Sequence, residues 1–191
     1  MDIQSTNLKG CYLITPKVFL DDRGFLIEVY SKPKMAEAGI NVDFPYSIES
    51  RSKKNVVRGL HFQWGTTASA PVGKMIRVIL GSAFVVAADI RKKSDTFGKW
   101  FGLELSAENK KVIYIEPGFA AGFAALEDET YLQYHYTAPH NPNGESNILW
   151  NDPDLKIKWP AGVAQAPILS ERDKNAKTMA AWLLRPESDK F

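Results

Sequence analysis

Apolar and polar residues along this chain fall into short blocks rather than long helical stretches. Apolar or alternating runs cover Tyr12–Ile14, Phe25–Tyr30, Tyr46–Arg51, Val56–Phe62, Lys74–Leu80, Ala83–Ile90, Trp100–Leu105, Val112–Ile115 and Tyr131–Tyr136. Gly24, Gly59, Gly73, Gly81, Gly98, Gly118 and Gly122 punctuate them. Many short strands at this spacing predict an all-β fold, a sandwich, jelly roll or barrel of antiparallel sheets. Helical period occurs in two places only. One is Lys34–Gly39; the other follows Ser170, where Ala176, Met179, Ala180 and Leu183 share a face. Crossover helices are missing, which argues against a parallel α/β fold. The expected organisation is one domain over 1–191, with a β core over about 10–160 and a helical segment over about 170–185.

Composition narrows the function more than the fold. The chain has 191 residues, 45% hydrophobic and 24% charged, enough to bury a full core. The 24 Lys and Arg against 22 Asp and Glu leave a net charge of +2. So small a charge supplies no broad field for nucleic acid or a membrane surface. Any anion must be held by a few placed cations. Cys11 is the only cysteine, so no intrachain disulfide forms, which fits a reducing compartment. Met1–Arg23 is polar and mixed, without the apolar core of a signal peptide. The longest apolar stretch, Val78–Ala88, contains Gly81 and Ser82 and is shorter than the about 20 residues of a membrane span. A cytoplasmic enzyme or binding module is expected.

Several chemistries lose support for want of their motifs. No strand–GxGxxG–helix unit is present for a dinucleotide, and no Gly-x-Ser-x-Gly elbow. Gly73-Lys74 is followed by Met75, and position 68 is Ala68, so the phosphate-loop pattern fails. The three histidines are His61, His135 and His140. A metal site asks for three or four converging ligands, and the residue two places after His61 is Gln63. No metal is expected, and nicotinamide redox and nucleotide hydrolysis lose support.

A lone strand histidine is by default a packing residue, but the neighbours of His61 change that reading. Arg51, Arg58 and Gln63 lie close to it in sequence, and Lys74 opens the next strand. Strict alternation would put Arg58 and His61 on opposite faces. A bulge at Gly59, between them, would reset the parity.

Longer motifs, in order, are Asp22-Arg23-Gly24-Phe25 with Glu28, Ser50-Arg51-Ser52, Val57-Arg58-Gly59-Leu60-His61-Phe62-Gln63 and Gly73-Lys74. Then come Phe97-Gly98-Lys99-Trp100, Leu105-Ser106-Ala107-Glu108-Asn109, Pro117-Gly118-Phe119-Ala120, Ile148-Leu149-Trp150-Asn151-Asp152-Pro153 and Leu169-Ser170-Glu171-Arg172-Asp173. In this order the chain resembles the dTDP-4-dehydrorhamnose 3,5-epimerase family over roughly residues 10–175. The resemblance implies a cupin-like jelly roll, a homodimer and a cofactor-free epimerase. Its substrate would be a nucleoside-diphosphate 4-keto-6-deoxysugar, its product destined for surface polysaccharide.

The resemblance assigns His61 as the base, Asp173 as the aspartate that orients it, Lys74 as the cation at the keto oxygen and Tyr131 as the acid on the far ring face. Tyr131 comes from counting back from Ala138-Pro139, which leaves Tyr134 as the alternative. Alone, Asp173 reads as part of a helix start after Ser170, Lys74 as a solvated strand-end lysine, and the tyrosines as strand packing. Arg23, Glu28 and Arg58 match residues that hold the diphosphate and sugar. Glu145, reached across an insertion around Asn141–Gly144, and Arg172, where lysine is usual, match further substrate contacts.

The chain departs from the family's pattern at the centre of the site. Ala121 replaces a histidine beside the keto group; Tyr46 and Ile48 replace two amides that read the base; Leu26 replaces a common Phe. These departures predict narrowed chemistry, a single inversion favouring C3, and a preference for a cytidine-linked sugar over dTDP-sugar. A catalytically dead sugar-nucleotide-binding jelly roll and a metal-dependent cupin are the rival readings.

Overall fold

A computed structural model describes all residues 1–191. Its strands are β1 (Asp2–Ser5), β2 (Cys11–Thr15), β3 (Val18–Asp21), β4 (Gly24–Ile27), β5 (Tyr46–Ser52), β6 (Val57–Gln63) and β7 (Lys74–Leu80). There follow β8 (Ser82–Asp89), β9 (Trp100–Ser106), β10 (Val112–Ile115), β11 (Phe119–Ala125), β12 (Thr130–Tyr136) and β13 (Glu145–Asn147). Two antiparallel sheets face each other, in the orders β1-β2-β10-β7-β12-β5 and β13-β6-β11-β8-β9. β3 and β4 form a separate hairpin. The antiparallel double-sheet fold that the strand pattern predicts is observed, in the jelly-roll form that the family resemblance implies.

Three apolar layers hold it. Ile76, Val78, Ile113 and Leu132 from one sheet meet Val85, Ala87, Leu105 and Phe123 from the other. The outer face of the five-stranded sheet is sealed by the C-terminal segment, through Leu155, Trp159, Val163, Met179 and Trp182. The outer face of the six-stranded sheet is covered by α1 (Lys32–Glu37), whose Met35 packs with Ile14, Met75 and Val112. β8 and β11 are therefore buried on both faces. That explains the unbroken run around Val85–Ala88, and why Phe119–Ala125, rich in alanine and glycine, carries no alternation to mark it as a strand.

The helical segment expected after Ser170 breaks in two, α3 (Glu171–Lys174) and α4 (Met179–Leu183), preceded by the short α2 (Ala161–Gln165). Ser170 and Thr178 each cap one piece by accepting a backbone N–H, from Asp173 and Ala181. The second cap ends what the periodicity reads as continuous.

One glycine pair sets the site. Gly59 has φ +126, and a Cβ there would stand 2.6 Å from the Cα of Gly122. The pairing of β6 with β11 slips between Ala121 and Phe123 at this contact. The resulting irregularity brings both Arg58 and His61 to the same cavity, the parity reset expected of Gly59.

Candidate active site

A cavity of about 260 Å³ opens between the two sheets. The five-stranded sheet supplies Arg58, His61 and Gln63 from β6 and Ala121 from β11; the six-stranded sheet supplies Tyr46, Ile48 and Ser50 from β5, Lys74 from β7 and Tyr134 and Tyr136 from β12. His140 and Glu145, flanking the 142–144 turn, close one side.

His61 donates from Nε2 to Oδ1 of Asp173 across 2.6 Å. A carboxylate only accepts, so the proton sits on Nε2 and Nδ1 carries the free lone pair. The His61 side chain is 32% exposed, its partner only 3%. Burial alone would raise the Asp173 pKa. The bond and charge of His61, with bonds from Ser170 and Asn147, outweigh it and hold the carboxyl below its ordinary value. Asp173 thus combines its two sequence readings: its backbone N–H is capped by Ser170, 3.1 Å away, while its carboxylate holds His61. Asn147, which no sequence motif marks, joins this group. It pairs with His61 in the β13–β6 ladder and donates from Nδ2 to the Arg172 carbonyl at 3.1 Å and to Asp173 Oδ1 at 3.4 Å.

Lys74 stands on the opposite wall and donates from Nζ to the backbone carbonyl of His61 at 2.8 Å. Burial lowers its pKa to about 8, against the pull of Glu145 and with the push of Arg172. Glu145 accepts from Arg172 Nη1 at 2.9 Å and lies 3.2 Å from His140 Nε2. Arg58 donates to Ser52 Oγ and to the Arg51 carbonyl, both at 3.2 Å. Ala121 faces His61 in the ladder and offers only a methyl group.

Tyr131 is corrected. β12 slips in its pairing with β7 between Tyr131 and Leu132. Leu132, Tyr134 and Tyr136 then point inward, while Tyr131 lies outside the cavity, opposite Arg51 in the ladder to β5. Tyr134 is the cavity phenol at that level. Its hydroxyl lies 3.3 Å from Ser50 Oγ, and burial pushes its pKa well up, so it stays protonated at neutral pH.

Arg23 and Glu28 do not reach this chain's own cavity. Arg23 is 90% exposed at the tip of the β3–β4 hairpin, paired with Asp21, and Glu28 is paired with Lys34. No group of three or more His, Cys, Asp and Glu side chains is placed to share a metal ion. No helix is long and apolar enough to cross a membrane.

Known proteins share this fold and much of this sequence. The family model described as dTDP-4-dehydrorhamnose 3,5-epimerase matches residues 5–181. The chain belongs to that family. It is 45% identical to the dTDP-4-dehydrorhamnose 3,5-epimerase of Pseudomonas aeruginosa over 169 residues, 88% of this chain and 90% of the relative. Among solved structures it resembles the dTDP-6-deoxy-D-glucose-3,5-epimerase of Legionella pneumophila, solved with dTDP-4-keto-L-rhamnose. The TM-score there is 0.90 at 38% identity, over 98% of this chain and 96% of the other. It also resembles a 3'-monoepimerase of Streptomyces bikiniensis, with TM-score 0.85 at 27% identity, over 93% of this chain and 87% of the other. The cupin-like jelly roll is the fold of this epimerase family.

Proposed function

We propose that this chain is an isomerase that epimerises a nucleoside-diphosphate 4-dehydro-6-deoxyhexose at C3, C5 or both, through an enolate. One observation carries the reading: the base and the acid stand on opposite sheets. Inversion requires a proton removed from one ring face and returned to the other. His61 on β6 and Tyr134 on β12 face each other across the cavity.

His61 Nδ1 takes the proton beside the ketone, and Asp173 stabilises the imidazolium that forms. Lys74 neutralises the charge that develops on the C4 oxygen. Tyr134 delivers its hydroxyl proton to the far face. Arg58 and Arg172 are the cations for the diphosphate, since a guanidinium fork matches phosphate oxygens. A binding module has no use for a base held in one tautomer opposite a buried phenol, which disfavours the non-catalytic reading.

The partner is a second copy of the chain. The hairpin exposes Phe19, Leu20, Phe25 and Leu26, an apolar surface that a solvated arm has no reason to carry. Docked on a partner, it would bring Arg23 to the partner's cavity and complete the diphosphate site. Leu20→Asp is expected to give monomers by sedimentation and to weaken nucleotide binding; an unchanged dimer would reject the arm's role.

The test of the activity is incubation in deuterium oxide with dTDP- and CDP-linked 4-keto-6-deoxyglucose, followed by NMR. Exchange at C3 or C5, abolished by His61→Ala, is expected. Full exchange in that variant would remove His61 as the base.

A further inference from the structure

β12 presents two phenols to the cavity, and the proposed reaction uses one. Tyr136 follows Tyr134 by two residues on the same face of β12, their rings 6.1 Å apart and inclined by 30°. In the sheet it lies between Lys74 on one side and Tyr46 on the other. Lys74 Nζ stands 5.9 Å from its ring centroid, and the Tyr46 ring is 5.7 Å away. Packing on both sides fixes the ring.

The hydroxyls differ in what they do. The Tyr134 hydroxyl is engaged with Ser50. That of Tyr136 makes no hydrogen bond within the chain, yet it is not one of the sealed, unpartnered atoms of the core. It therefore faces the cavity with its donor free. Burial, with Tyr46 and Glu145 nearby, pushes its pKa up to about 12, so it holds its proton throughout the neutral range.

An enolate needs more than one donor when its site is partly desolvated. Lys74 is one. On the His61 side, Ala121, which pairs with His61 in the ladder, presents a methyl group and can give none. We propose that the Tyr136 hydroxyl is the second hydrogen-bond donor to the substrate's C4 oxygen, acting beside Lys74, and so is a catalytic residue of this site. The assignment rests on reading the cavity as an enolising site. It also removes the premise behind a single-inversion enzyme, which held that Lys74 stands alone at the keto group.

Tyr136→Phe keeps the ring, its packing on Tyr46 and its contact with Lys74, and removes only the donor. Deuterium exchange from dTDP- and CDP-linked 4-keto-6-deoxyglucose is measured for wild type and variant, with calorimetric binding of dTDP alone as the measure of an intact fold. Loss of one oxyanion donor typically costs about 10²–10³ in kcat. We expect a fall of about 10² in the exchange rate with dTDP affinity unchanged within about two-fold. Wild-type exchange matched by the variant would overturn the role of Tyr136. No exchange in the wild type with either sugar nucleotide would instead overturn the enolising reading.

A second measurement is independent of turnover. With C4-labelled substrate bound to His61→Ala, adding Tyr136→Phe should move the carbonyl carbon resonance upfield, because the carbonyl is less polarised. An unmoved resonance would reject the hydrogen bond even if the rate had fallen for structural reasons.

Discussion

Replacing Asp173 by Asn tests the base at its weakest-looking but most informative point. The substitution keeps shape and volume, and Asp173 lies behind His61, away from the cavity. The lost interaction is a charge-assisted hydrogen bond at 2.6 Å. Such bonds contribute about 1.5–3 kcal/mol. A bare Coulomb figure at about 4 Å and an effective dielectric near 20 is about 4 kcal/mol, and the one-third exposure of the imidazole screens it below that ceiling. The interaction strengthens when His61 becomes cationic, so its loss falls on the transition state. The expected drop in kcat is roughly 10- to 150-fold, with KM changed little, since Asp173 touches no substrate. Asn can also present its amide N–H to Nε2, which would move the imidazole proton onto Nδ1 and block the base.

The assay is initial deuterium incorporation by NMR at saturating substrate. A kcat within about two-fold of wild type would refute both the tautomer argument and the role of His61 Nδ1. Stability supplies a second readout. The Asp173 pKa is depressed in the folded chain, so its contribution is present above the ordinary carboxylate pKa and lost as pH falls through the lowered one. The gap in Tm between wild type and variant should close on acidification below about pH 4.

Other outcomes follow from the same geometry. The Lys74 pKa is lowered to about 8, so kcat/KM should fall as pH rises through that value and the ammonium is lost; Lys74→Gln should be slow and lack this limb. Tyr134→Phe should allow exchange but suppress inversion, whereas Tyr131→Phe, outside the cavity, should leave turnover within about two-fold. Coupling constants of the product measure the first, and a reversed ranking would restore Tyr131. Gly59→Ala pushes a Cβ to 2.6 Å from Gly122 at a positive φ. It should lower stability by more than about 1 kcal/mol and reduce His61-dependent exchange; a neutral urea midpoint would reject the tight crossing. Ile48→Asn restores an amide at the cavity wall and should tighten dTDP binding about 2- to 10-fold, read by calorimetry; no change would place Ile48 away from the base.

The apolar pattern alone marked nine of the thirteen strands, the absence of crossover helices and the residue types of the site. Alternation marks half-buried strands, and the segment around Gly59 carries both the bulge signal and the charged groups. It also held the partners His61 and Asp173, 112 residues apart, which only the family pattern joined, because spacing says nothing about contacts made through a fold. Tertiary structure decided the rest. Whether Tyr131 or Tyr134 faces inward depends on a slip in pairing with β7, and a one-residue slip exchanges the two faces of a strand. β11 shows no period because both of its faces are covered, a property of its neighbours rather than of its residues. Asn147 and Tyr136 acquire their roles from ladders to β6 and β7. Arg23 and Glu28, placed at the site by motif, lie outside this chain's cavity, because the hairpin that carries Arg23 and leads into Glu28 belongs to neither sheet of the sandwich. Residue type is local, but the direction in which a side chain points is set by pairing with distant strands.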